Sequence, residues 1–251
     1  MAGKRVLITG AGSGFGKGAA IALAERGHDV VATTVDVAQA EALKAEAPAL
    51  TVHKLDITDP ADVAMAAEWD VDVLISNAGV GCLGPLAHVP LEDVRAVFEV
   101  NVFGTLAISQ AVVRRMLERG SGRLLIVSSV AGLISGPTSG PYSMTKHALQ
   151  AMGASWRAEL APHGIEVGLI NPGPFETGFN DRMADSAVER FATGDAHPVD
   201  AAHVQGLHDL ITVDQGDPAE VVQAMVDLVE ADEIPLQTVV PSDLLARFGL
   251  E

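Results

Sequence analysis

The feature that most constrains this chain is a regular alternation of short apolar runs with longer stretches of helical period. The apolar runs, rich in Val, Ile and Leu, fall at residues 5–9, 29–34, 50–54, 71–76, 123–128, 165–170 and 237–240. Helix-period stretches separate them at 14–26, 37–47, 60–68, 91–119, 142–162 and 218–231. Near-continuous apolar runs are the mark of strands buried on both faces. Successive β-α units bring such strands together in parallel through right-handed crossovers. The expected architecture is α/β: a doubly wound, Rossmann-type sheet of seven parallel strands with helices on both faces. Seven strands occupy the 251 residues without room for a second domain, so residues 1–251 are expected to form one domain.

One stretch breaks the rhythm. Residues 172–217 are rich in Gly, Pro, Asp and His, with Phe175, Phe179, Met183 and Phe191 interspersed. So long a connection is usually a functional loop. It follows the C-terminal end of the sixth strand, where open α/β sheets bind ligands. It is read as a substrate loop or lid that can carry short helices. Leu83, Leu86, Phe175, Phe179 and Met183 are candidate apolar wall residues, or simply the side chains that pack the lid down.

A net charge of −17 disfavours nucleic acid and anionic membranes as partners. No apolar run approaches the roughly 18 residues of a membrane span. The N-terminal Met1-Ala2-Gly3-Lys4-Arg5 lacks the apolar region of a secretory signal. The single cysteine, Cys82, cannot close an intramolecular disulfide, and no local base marks it as a catalytic thiol. His197, His203 and His208 have no metal-ligand framework, so no metal is expected. These features point to a soluble, cytoplasmic protein.

The first apolar run leads directly into Thr9-Gly10-Ala11-Gly12-Ser13-Gly14-Phe15-Gly16, and a helical stretch follows. Glycines at a strand-to-helix turn permit positive φ and close backbone approach, and the helix N-terminus stabilises negative charge. A bare tight turn uses the same residues. The strand-turn-helix context favours a phosphate cradle.

Tyr142 and Lys146 open the helical stretch 142–162. An i, i+4 spacing puts phenol and ammonium on one helix face, about 5–6 Å apart at Cβ. A free phenol titrates near about 10 and is a poor base at neutrality; a nearby cation lowers that value, whereas burial raises it. The pair suits general acid/base work on an alcohol or ketone, although such pairs are also common on plain helix surfaces. Ser128-Ser129 ends the fifth run, Asn77-Ala78-Gly79 follows the fourth, and Asn101 lies inside 91–119, where asparagine is a mediocre helix residue. Each has an ordinary alternative: packing, a strand-ending turn, a surface side chain.

With these motifs in this order, the chain resembles the short-chain dehydrogenase/reductase family in its compact one-domain form, from about residue 4 onward and loosely across 178–216. The resemblance implies a catalytic tetrad of Asn101, Ser129, Tyr142 and Lys146. Tyr142 would exchange the proton and Ser129 would hold the substrate oxygen. Lys146 would bind the nicotinamide ribose and tune Tyr142. Asn101 would maintain a helix distortion and bind a water of the proton relay. It further implies cofactor contacts from Gly10, Ser13, Gly14, Phe15, Gly16, Asp56, Ile57, Asn77, Ala78, Gly79, Pro172, Gly173, Phe175 and Thr177, the last at the carboxamide.

At the end of the second run, Thr34 and Val35 take the positions that are usually acidic and Arg, respectively. Asp36 lies close enough to reach the ribose, and Lys17 is a candidate phosphate partner or a solvated lysine. With no Arg or Lys from 27 to 43, the balance leans to NAD over NADP. The implied activity interconverts a secondary alcohol and a ketone, with a small-to-medium hydrophobic substrate, in a homodimer or homotetramer. Two other readings are a nonenzymatic cofactor sensor and lyase or dehalogenase chemistry on the same scaffold. The retained tetrad disfavours the first, and Lys146 with the intact glycines disfavours the second.

Overall fold

The computed structural model describes residues 3–192 and 198–247. Seven parallel strands form one sheet in the order β3-β2-β1-β4-β5-β6-β7. They are β1 (Arg5–Ile8), β2 (Asp29–Thr34), β3 (Thr51–Lys54), β4 (Val73–Ser76), β5 (Gly122–Val127), β6 (Ile165–Pro172) and β7 (Gln237–Val240). The register sets Val6 beside both Val30 and Val73, so β1 and β4 meet at the centre. The chain winds outward from β1 in one direction and from β4 in the other. That reversal opens a crevice at the C-terminal ends of β1 and β4.

Period-two alternation divides the strand side chains between two cores. Val6, Ile8, Val73, Ile75 and Leu125 face one layer, built with Leu23 of α1 (Gly14–Glu25), Leu43 of α2 (Val37–Glu46) and Val229 of α9 (Pro218–Glu230). Leu7, Leu74, Leu124 and Ile126 face the other. That layer is built with Ala66 of α3 (Pro60–Ala66), Ile108 and Met116 of α5 (Thr105–Arg119) and Leu149 of α6 (Gly140–Leu160).

The stretch expected as one helix over 91–119 is interrupted. α4 (Leu91–Phe98) passes into a π-helical turn at Glu99–Gly104 before α5 begins. By length and hydropathy alone 91–119 matches a membrane span, contrary to the reading of its sequence, with a mean hydropathy of 1.6 over its most apolar part. Half of that part is buried inside the structure. Its apolar face is that of a core helix packed on the sheet.

The stretch 172–217 is more regular than its composition suggests. Helices α7 (Phe179–Phe191) and α8 (Pro198–Thr212) pack on each other and on Leu83. Gly, Pro and Asp lower helix propensity, but an apolar stripe of Met183, Ala187, Val204 and Leu207 provides the tertiary packing that decides. Arg190 pairs with Asp93, and His88 meets Asp200 at 2.6 Å; both contacts tether the helical pair to the region of α4. The expectation for His197 falls outside the described residues. His208 lies beside Asp185 and Asp209.

Candidate active site

A cleft of about 370 Å³ opens along the C-terminal edge of the sheet at the crevice. Its floor begins at the glycine turn. Gly10 has φ +68°, and a Cβ there would lie 2.7 Å from Ala78 Cα. Gly14 has φ +55° and faces Thr177, whose Cβ would come within 3.3 Å of an added side-chain carbon. These two positions need glycine on both counts. Ser13 precedes α1 without capping it through its side chain, so its backbone leads the exposed N–H groups of the first turn into the cleft.

The loop after β4 holds that turn in place. Asn77 Nδ2 donates to the carbonyls of Thr9 (2.9 Å) and Gly10 (3.1 Å), while the N–H groups of Asn77 and Ala78 donate to Thr9 Oγ1. Asn77, Ala78 and Gly79 all line the cleft. Asp56 and Ile57 line it opposite, where the Asp56 carboxylate accepts from Thr58 N–H and Oγ1 and so also caps its own loop. Pro172, Gly173, Phe175 and Thr177 form the wall beyond β6, with the Phe175 ring buried edge-on against Phe15.

Tyr142 and Lys146 stand together at the cleft, Lys146 Nζ lying 5.5 Å from the Tyr142 ring centre. Lys146 is buried and donates to Val127 O at 3.0 Å; desolvation pulls its ammonium down to about 8. Burial drives the Tyr142 phenol upward, and the Ser129 hydroxyl draws it partly back. The lowering expected from the lysine charge is not found; desolvation dominates, which leaves a protonated phenol. Ser129 Oγ accepts from Ala131 N–H at 3.1 Å and donates to Pro172 O through a long bond of 3.3 Å.

Asn101 sits at the heart of the π turn and is buried. Its Oδ1 accepts from Val80 N–H, and its Nδ2 donates to Val80 O and to Thr145 Oγ1. Thr145 Oγ1 in turn donates to Tyr142 O at 2.7 Å. The side chain therefore ties the Val80 loop to the helix that carries Tyr142, and it is not among the residues lining the cleft.

Gly16, Thr34 and Asp36 also lie off the cleft surface. Thr34 is buried with its hydroxyl bonded to Asp36 O, and the Asp36 carboxylate caps α2 by accepting from Gln39 N–H and Nε2. Val35 and Gln39 line the pocket there instead. Lys17 is paired with Glu46 at 3.0 Å.

Of the five candidate wall side chains, Phe175 and Phe179 line the cleft, and the Phe179 ring lies 5.9 Å from that of Tyr142. Leu83 and Met183 are buried in the packing of α7 and α8, and Leu86 is exposed. Asn180 and Arg182 line the cleft as well. Nothing in the sequence distinguishes these two from other polar residues of α7; their place depends on the helix's orientation.

A second group was also unforeseen. Gln150, one turn beyond Lys146, donates to Ser128 Oγ (2.9 Å) and to Asn171 Oδ1 (2.6 Å). Asn171 donates to Gln237 Oε1, and Gln237 Nε2 donates back to Gln150 Oε1. This closed ring of three amides fastens α6 to the ends of β6 and β7. Ser128 completes it by donating to Lys146 O, a supporting role.

A glycine turn feeding a cleft that ends at a tyrosine-lysine helix defines a dinucleotide-dependent oxidoreductase. Residues 4–187 match the family model described as short chain dehydrogenase. An uncharacterised oxidoreductase of Bacillus subtilis, YusZ, is 34% identical over 92% of this chain and 86% of its own. Human 17-beta-hydroxysteroid dehydrogenase type 1 is 37% identical over 78% of this chain and 64% of its own. The structure of a short-chain dehydrogenase from Streptomyces avermitilis superposes with a TM-score of 0.84 at 30% identity, covering 98% of this chain and 91% of that one. The chain belongs to the short-chain dehydrogenase/reductase family and is an NAD(P)-dependent oxidoreductase acting on alcohol and carbonyl groups.

Proposed function

We propose that this protein interconverts a secondary alcohol and a ketone of small-to-medium size and hydrophobic character, with NAD as the preferred carrier. The observation that carries this reading is the juxtaposition of Tyr142 and Lys146 at the cleft that starts from the glycine turn. The turn fits a dinucleotide: its positive-φ glycines, the uncapped start of α1 and Thr177 against Gly14 leave backbone donors for a pyrophosphate. A bound nicotinamide would supply or accept the hydride.

The chain's own residues would manage the proton and the geometry. Tyr142, protonated at neutral pH, would give its hydroxyl proton to the carbonyl oxygen during reduction and retrieve it during oxidation. Ser129 would turn its hydroxyl from the weak bond to Pro172 O towards the same oxygen. Lys146, with a pKa of about 8, remains largely cationic at neutrality and would favour the phenolate formed as the proton leaves. Asn101 acts as a positioning residue, holding Val80 and the start of α6.

Phe179 beside Tyr142 supports an apolar substrate, in keeping with the hydroxysteroid dehydrogenase among the relatives. The NAD preference is supported by the cleft lining after β2, where Val35 and Gln39 present no cation, and by Lys17, which is occupied by Glu46. A 2′-phosphate there would meet the Gln39 amide, itself bonded to the Asp36 carboxylate, instead of a cation. The proposal extends to one cytoplasmic domain that assembles as a homodimer or homotetramer, with α7 and α8 as its lid.

The test is oxidation of NADH and NADPH against a panel of hydrophobic ketones. Tyr142→Phe is expected to lower turnover at least about 100-fold while NADH affinity stays within about twofold, because the change removes one oxygen. Full turnover by that variant would sink the reading.

A further inference from the structure

The cleft has two cationic side chains in its lining, Lys146 and Arg182. Lys146 is buried and bonded to Val127 O. Arg182 is exposed and, among the described residues, has no carboxylate partner or hydrogen bond. Arg5, Arg26, Arg115, Arg119, Arg123 and Arg190 are each paired with a carboxylate; Arg95, Arg114 and Arg157 have no carboxylate partner among the described residues, but none of them lines this cleft. In a molecule of net charge −17, an arginine with no carboxylate among the described residues, inside a ligand cleft, is a place for an anion supplied from outside.

Its position narrows which anion. Arg182 lies in the first turn of α7, and its Nη1 comes within 2.9 Å of where a Cβ on Gly178 would stand. Gly178 has φ +70°, so a side chain there would be strained as well as crowded. The glycine lets the guanidinium fold back over the chain immediately after Thr177. Thr177 is the residue that abuts Gly14 of the phosphate cradle. Phe179, on the other side, faces Tyr142. The guanidinium thus belongs to the cradle end of the cleft and Phe179 to the catalytic end.

We infer that Arg182 is a cofactor-binding residue that clamps the dinucleotide pyrophosphate from the lid side, opposite the backbone donors of the glycine turn. The inference rests on the nicotinamide-dependent reading above. A guanidinium presents a planar fork suited to two phosphate oxygens. Because it rides on α7, the same contact would draw the lid helix onto bound cofactor.

The experiment is fluorescence titration of the full chain with NADH, and displacement of NADH by ADP-ribose and by adenosine. Arg182→Ala is expected to weaken NADH and ADP-ribose about tenfold and to flatten the salt dependence of both, with adenosine unchanged because it has no phosphate. Arg182→Lys should recover part of the loss. Among the described residues the side chain has no other partner, so the fold should tolerate the change; an unchanged melting temperature checks this. Unaltered NADH affinity in Arg182→Ala overturns the inference. So does an effect confined to the KM for ketones bearing a carboxylate, which would make Arg182 a substrate contact. If the unsubstituted chain binds neither NADH nor NADPH, the functional reading itself falls.

Discussion

Lys146 carries opposite demands. In the proposed chemistry a cation at this point would serve the phenolate, yet burying it costs stability, since desolvation lowers its pKa from 10.5 to about 8. A lysine whose folded pKa is lowered binds fewer protons folded than unfolded between those values, so stability rises as pH climbs from about 8 towards 10.5. Below pH 8 the penalty is constant and fully present. Lys146→Met should therefore lose activity while unfolding at higher urea at pH 7, by on the order of 1–3 kcal/mol. The gap between variant and parent should close as pH rises towards 10.5. A variant less stable than its parent at pH 7 would show that the bond to Val127 O outweighs desolvation. The spacing of Tyr142 and Lys146 was legible from one helical turn. The balance of their pKa values was not, because desolvation depends on what the rest of the chain packs around them.

At the scale of elements, the site depends on two polar ties that cross between segments distant in sequence. Asn101 satisfies both backbone groups of Val80 from within the π turn. Asn101→Leu removes the side-chain partner of both Val80 backbone groups and of Thr145 Oγ1, and should cost about 2 kcal/mol in chemical denaturation. It should lower kcat more than it raises the Kd for NADH, since the glycine turn is held separately by Asn77. The amide ring is the second tie. Gln150→Leu opens it and strands Asn171 Oδ1, so kcat should fall several-fold with the pH optimum shifted, through Ser128 and the Lys146 backbone. A change in Tm with an unmoved pH profile would reduce the ring to a structural fastening. An asparagine inside a helical stretch hinted at the π turn. Gln150 and Gln237 gave no hint, because two glutamines 87 residues apart meet only when α6 and β7 are packed.

Across the whole molecule, the doubly wound order brings the two ends of the α1 and α9 layer together. Arg26 at the end of α1 pairs with Glu230 at the end of α9, with His28 beside it, and holds the Glu230 carboxyl at about 2 instead of its ordinary 4.5. A depressed carboxyl contributes stability that is fully present above 4.5 and is lost as pH falls towards 2. Glu230→Gln should flatten the acid limb of a Tm-versus-pH curve across that window and leave NADH binding at pH 7 unchanged. An acid limb identical to the parent's would show that the exposed pair is screened.

The amino-acid sequence by itself determined the β-α rhythm, the two-sided burial of the strands, the glycine turn and the tyrosine-lysine face. All of these are periodicities or contacts within a few residues, where backbone geometry alone decides what meets. It also marked 172–217 as exceptional, but not as the paired helices α7 and α8, whose stability comes from Leu83 and from each other. Only the tertiary structure decided that Gln39 and not Thr34 reaches the cleft, that Asn101 spends its side chain on Val80, and that Arg182 lines the cleft. Each of those depends on register and on which face of a helix packs against the sheet. Such information lies in the sum of many weak contacts across the whole chain, beyond any local motif.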